Sequence, residues 1–366
     1  MFAREYSSTN FITGLRGIAI LMVFLIHSGG GGLREISSSG DRAVSMGMYG
    51  VDIFFVISGF TIFYQFYSRN YSIINFLKIR LLRVSIPYFP IIIFMYFYVI
   101  FGGNFTNNWA IIYNNGEISL LNLITHLFYL SYINEVFANT IIGIEWTLSI
   151  EVFFYVVLGF MIVNLKKLDT INKTFFWMIL FFFISVLGIF ISKFTNNGLL
   201  YQWMPFKYGY MFLLGGLAYH LRSKLSQILE IKKLNIFSSF LIIFSIPIFL
   251  IFITTTKIPN ISILNELFFA ILTFILIIFV QDSAKYSNIF VNKVIVSIGS
   301  ISFSMYLVHL LVINFFSLEI DSFSKNSSLN FVYLLFMTII FSTIYYWIFE
   351  LKVYRTVKSK IMIFKK

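Results

Sequence analysis

The sequence predicts an all-α polytopic membrane protein with about ten transmembrane helices and both termini in the cytoplasm. Three observations predict it. First, 59% of the 366 residues are hydrophobic and only 11% are charged, against roughly 25% charged in a soluble domain. So few polar side chains cannot cover a surface in water, and the bilayer has to act as solvent. Second, apolar stretches of about 20 residues recur along the chain, each long enough to span. Third, the basic residues between those stretches fall mostly on one side. The chain has no cysteine, which removes disulfides, thiolate metal sites and acyl-cysteine chemistry.

Taken in order, the expected spans are 11–27, 51–67, 84–101, 145–164, 174–192, 204–221, 234–253, 263–281, 295–316 and 331–350. The longest intervening loop, 102–144, holds Asn104, Asn107, Asn108, Asn114 and Asn115 among aromatics, and its 121–133 part reads as a re-entrant or interfacial helix. With the N-terminus inside, only Arg34, Arg42, Lys193, Lys257 and Lys325 lie outside, and Arg16 and Lys207 fall within spans. The other 20 of the 27 Lys and Arg are cytoplasmic, as the positive-inside rule requires. The net charge of +12 is then topological, and nucleic acid is not an expected partner. Arg4 followed by an apolar run also suggests a cleavable signal peptide, but Arg16 would interrupt its apolar core. There is no internal repeat, and 1–366 reads as one membrane domain.

Ionisable residues inside spans cost about 2.5–3.5 kcal/mol at the helix centre and usually face a cavity or a partner. Arg16 and His27 lie eleven residues apart in GLRGIAILMVFLIH. That is almost three turns, so they share one face across about 16 Å of rise. The pair suits a passage through much of the bilayer. A snorkelling arginine and an interfacial histidine is the competing reading. Gly29 to Gly32 follow, either letting backbone approach a bound group or forming a flexible loop. Asp52, at the start of GVDIFFVISGF, is placed to orient an imidazole or to cap its helix. Arg80 and Arg83, spaced i, i+3, suit a pyrophosphate or serve as lipid anchors. In EWTLSIEVFFY, Glu145 lies at the outer edge and Glu151 deeper among apolar neighbours. Ser302, Tyr306 and His309 form one stripe that reads as a polar lining or as interhelical hydrogen bonding. His126 and His220 sit near interfaces and are not expected to be catalytic.

Together these segments resemble acyltransferase family 3, the integral-membrane acyltransferases of bacterial surface glycans. GLRGIAILMVFLIH is similar to its first-helix signature, GVDIFFVISGF to its second-helix motif, and RLLR to its cytoplasmic R-x-x-R. WTLSIEVFFY and SFSMYLVH resemble its W-S-L-x-x-E-x-x-F-Y and S-x-x-x-Y-L-x-H elements. The likeness covers 11–350 with the motifs in order. Thr13 stands where relatives usually carry Asp, and Thr147 where they carry Ser. The chain has no counterpart of the esterase-like domain that some relatives append, so the membrane domain is expected to act alone or with a separate partner.

The resemblance implies a multi-pass protein of the bacterial inner (plasma) membrane. It would move an acyl group, most plainly acetyl, from cytoplasmic acyl-CoA to a hydroxyl of a surface polysaccharide, such as lipopolysaccharide, or a lipid-linked saccharide. No metal is expected, and membrane lipids are the surrounding partners. Arg80 and Arg83 would bind CoA phosphates, and Arg16 would stabilise the thioester oxyanion. His27 would act as general base or carry the acyl group, Asp52 would orient it, and Glu151 would handle a proton or position the acceptor. Trp146, Ser302, Tyr306 and His309 would line the substrate site, and Trp109, Tyr113, Tyr129 and Tyr132 would stack on a glycan. The rival from another class is a transporter or flippase for a glycan or lipid-linked sugar, with a binding-only membrane scaffold as a third reading.

Overall fold

A computed structural model describes residues 10–69, 71–103, 105, 118–164, 166–197, 202–228, 263–280, 288–317 and 328–363. Every regular element among them is helical, with no strand. Lipid gives an unpaired backbone group no water to bond, so spanning segments close their hydrogen bonds within the helix. Helix α1 (Asn10–His27) is followed by the short α2 (Leu33–Ile36) and α3 (Ser38–Ser45), and a 3-10 turn leads into α4 (Gly50–Arg69). Next come α5 (Ile73–Ile100), α6 (Leu120–Leu127), α7 (Glu135–Ala138), α8 (Trp146–Val163) and α9 (Ile171–Thr195). The last are α10 (Pro205–Ile228), α11 (Ile263–Phe279), α12 (Asn288–Val291), α13 (Lys293–Ser300), α14 (Ser302–Ser317), α15 (Ser328–Tyr345) and α16 (Tyr354–Ile363). A π-helical stretch, Tyr346–Val353, joins α15 to α16.

Side chains start these helices where the sequence offers them. Ser72, Ser119 and Thr170 each accept a hydrogen bond from the backbone N–H three residues on, in the first turns of α5, α6 and α9. Among the described residues, six helical segments are long and apolar enough to cross a membrane, and the bent pair Lys293–Ser300 and Ser302–Phe316 would make seven. The expected span 295–316 is therefore not one straight helix. It breaks at Ile301 with a 76° bend. Expected span 234–253 lies outside the described residues.

The core helices pack through glycine. A Cβ at Gly59 of α4 would lie 2.0 Å from Phe212 O, and one at Gly215 of α10 would lie 2.0 Å from Val56 O. Close backbone approach of this kind is how helices associate where lipid is as apolar as their side chains. Aromatic pairs fill the rest, such as Phe154 stacked on Phe212 at 4.4 Å. The helices also divide into inner and outer: 61% of the α8 window is buried in the protein but only 17% of the α9 window. Phe183, Phe190 and Phe194 of α9 are exposed, as a lipid-facing helix should leave them.

Gly29 to Gly32 form a left-handed turn, with φ of 82°, 84°, 61° and 84°. That backbone is strained for residues with a side chain, which accounts for four glycines in succession.

Candidate active site

Helices α1, α4, α5, α8 and α14 enclose a cavity of about 320 Å³. It is lined by Arg16 from α1, Arg80 and Arg83 from α5, Glu151 from α8, and Ser302 and Tyr306 from α14. These residues come from four separate stretches of sequence. Thr13 and Thr147, the two departures from the family pattern, line it too. The bend at Ile301 sets the start of α14 against the cavity, so Ser302 faces it from the helix's first turn.

The three guanidiniums are held differently. Arg80 is buried, donating from Nε to Gln65 Oε1 and from Nη2 to Thr61 Oγ1, each at 2.9 Å. Its guanidinium also lies over the Tyr155 ring at 5.3 Å. Arg16 and Arg83 make no hydrogen bond to any described residue, so their donor forks remain open to a ligand. Glu151, which lines the cavity, accepts at Oε1 from Ser58 Oγ at 2.8 Å and from the Tyr155 hydroxyl at 2.5 Å. Glu350, from the π-helical stretch, accepts from Ser304 Oγ at 2.6 Å and acts electrostatically on Arg16 and Arg83. Sequence reasoning missed it, because it lies where the last apolar run ends. Ser302 Oγ is buried without a protein partner among the described residues. Cations outnumber carboxylates here, and open guanidinium forks suit phosphate or carboxylate oxygens.

At the far wall, the Tyr306 hydroxyl donates to Ile144 O at 2.9 Å and shares a 2.8 Å hydrogen bond with Thr147 Oγ1. Glu145 fixes that segment. Its carboxylate, with no exposure, accepts the backbone N–H groups of Ile141, Ile142, Gly143 and Ile144 at 2.7 to 3.1 Å. His126 Nε2 lies 3.3 Å from the same carboxylate. Beyond Tyr306 lie His309, with ring centroids 5.8 Å apart, and then His27, whose Nδ1 is 3.1 Å from His309 Nε2. His27 is exposed and His309 is buried. Neither lines the cavity. The expected continuous passage from Arg16 to His27 is thus interrupted by the Tyr306 wall.

Asp52 is not beside His27. It is buried among α4, α10 and α11, where Glu266 and Lys207 act on it electrostatically, and Lys207 Nζ meets Glu266 Oε1 at 2.8 Å. The imidazole next to His27 is that of His309, from a helix 282 residues further along the chain. Trp146 packs its ring against Tyr208 and Phe55 rather than lining the cavity. Tyr129 is buried, stacked on Tyr88 and hydrogen-bonded to Ser85, and so offers no free face to a glycan. Tyr132 meets the edge of Phe153, whereas Trp109 and Tyr113 lie outside the described residues. His220 Nε2 bonds the Leu168 carbonyl at 3.0 Å.

A family model described as an acyltransferase domain matches residues 9–347. No curated protein and no solved structure matches the chain. The family model runs from the start of α1 to the π-helical stretch and so takes in every residue of the cavity. The chain belongs to acyltransferase family 3 and is a multi-pass membrane acyltransferase.

Proposed function

We propose that the protein transfers an acyl group, most plainly acetyl, from acyl-CoA to a hydroxyl of a surface polysaccharide or lipid-linked saccharide, in a bacterial plasma membrane. One observation supports this above the others: Arg16, Arg80, Arg83 and Glu151 line a single cavity, with the Arg16 and Arg83 forks open. Arg83, with Arg80 beside it, holds CoA phosphates at the cytoplasmic mouth. The thioester arm extends between α4 and α8 toward Tyr306. Arg16, whose fork opens into the same cavity, binds an anionic part of the donor and holds it for transfer. Ser302 Oγ supplies a further donor to bound substrate.

The acyl carbon passes the Tyr306 wall to the side of His27. There the acceptor oxygen bonds to that carbon, the carbon–sulfur bond breaks, and its electron pair leaves on the CoA sulfur. The hydroxyl proton goes to His27 Nε2, which passes it to the thiolate formed beside it, so the free thiol leaves and the imidazole is restored. Asp52 acts indirectly, holding α4 through the buried Lys207–Glu266 cluster.

The test is radiolabelled acetyl-CoA incubated with membranes that contain the protein. Label is expected in glycan or lipid, and His27→Gln should abolish it while the protein still inserts. Saccharide movement without label would favour a transporter and overturn the proposal.

A further inference from the structure

The two imidazoles beyond the Tyr306 wall are joined by contacts that leave one arrangement of protons. His309 Nδ1 lies 2.7 Å from Tyr306 O and 3.2 Å from Met305 O. Carbonyl oxygens only accept, so His309 Nδ1 bears hydrogen, and its neutral ring presents a lone pair at Nε2. That lone pair faces His27 Nδ1 at 3.1 Å. His27 Nδ1 is also 2.9 Å from Val23 O, again an acceptor. Both neighbours therefore require a proton on His27 Nδ1. The other ring nitrogen, Nε2, is left as a lone pair with no partner among the described residues, on the exposed member of the pair.

We infer that His309 is a positioning residue for acyl transfer: its Nε2 accepts from His27 Nδ1–H, fixing the ring and the tautomer that presents His27 Nε2 to the acceptor hydroxyl. This rests on the proposed role of His27 as base. His309 fills the place that a carboxylate takes where a histidine base is oriented by an acid. An imidazole does this without placing a formal charge in a buried site. The direction of the pair is fixed by exposure. His309 is buried with both ring nitrogens engaged, so it cannot reach an acceptor, whereas His27 can.

The experiment combines nitrogen NMR with kinetics. The chain has only four histidines, so ¹⁵N-histidine labelling of the full protein in lipid gives few signals, each assignable by substitution. In the unsubstituted protein His27 should show hydrogen on Nδ1 and a lone pair on Nε2. His309→Leu removes one of the two acceptors and leaves only Val23 O in the ring's own helix: the preference for that tautomer should weaken measurably, and kcat should fall about 100-fold with the KM for acetyl-CoA unchanged. His309→Gln retains an acceptor oxygen at similar reach and should keep the tautomer and bring kcat within about tenfold of the unsubstituted value. His27 carrying hydrogen on Nε2 in the unsubstituted protein would overturn the inference. So would His309→Leu and His309→Gln being equally impaired, or KM for the donor rising in step with the fall in kcat. The NMR readout separates the two claims: the expected tautomer shift in membranes that never transfer label would uphold the pairing and defeat the proposed reaction.

Discussion

Arg80 and Arg83 are three residues apart on α5, yet they do different work. Arg80 braces α5 against α4 through Gln65 and Thr61, whereas Arg83 keeps its fork open. A charge-assisted hydrogen bond contributes about 1.5–3 kcal/mol, so Arg83→Ala should raise KM for acyl-CoA by about 10- to 100-fold. The kinetics of label transfer against donor concentration measure it, and an unchanged KM would return Arg83 to anchoring at the head groups. Glu145 makes a different prediction. Its carboxylate satisfies four backbone N–H groups, three of them buried, and a buried one costs about 1–3 kcal/mol when left unmet. Glu145→Ala should therefore lower the thermal unfolding temperature in detergent sharply, because the loss is structural. Residues of this kind were only partly legible beforehand. Arg16 and Glu151 stand out because charge within a greasy span is costly, and Arg80 and Arg83 because their i, i+3 spacing puts them on one face of a cytoplasmic turn. The partners of Asp52 do not, because Lys207 and Glu266 lie on helices far along the chain and no local pattern links them.

At the scale of elements, periodicity located most spans but not their breaks. The apolar run over 295–316 has no proline to announce the 76° bend, and the break follows from packing: a Cβ at Gly299 would lie 1.8 Å from Thr13 O. That contact ties α13 to α1, and α14 then turns so that Ser302 and Tyr306 enter the cavity. The π-helical stretch is equally silent in sequence, and it brings Glu350 toward Arg16 and Arg83; such irregular turns gather at functional sites. Close helix contact gives the test at this scale. Gly59→Ala puts a methyl 2.0 Å from Phe212 O, which must push α4 from α10. A cost of about 1–3 kcal/mol for overpacking is expected, read as a lower unfolding temperature. Gly188, where a Cβ would meet nothing within 4 Å, should tolerate alanine. Equal losses at the two sites would contradict the packing described.

For the molecule as a whole, an inner set of helices surrounds a basic cavity, an outer helix meets lipid, and a histidine pair stands beyond a hydrogen-bonded wall. The composition and the alternation of charge foretold the membrane class, while the order of the motifs foretold the family. The wall was not foreseen, because helical geometry puts Arg16 and His27 on one face but says nothing of what α14 inserts between them. The proposed function predicts sidedness at this scale: donor should enter from one face of the membrane and the product ester should form at the other. Sealed vesicles of known orientation, given radiolabelled acetyl-CoA on one side at a time, test this most directly. Label should enter glycan or lipid only when the donor is on the face carrying the Arg80 and Arg83 end of the cavity. Equal labelling from a donor confined to the opposite face would contradict the account.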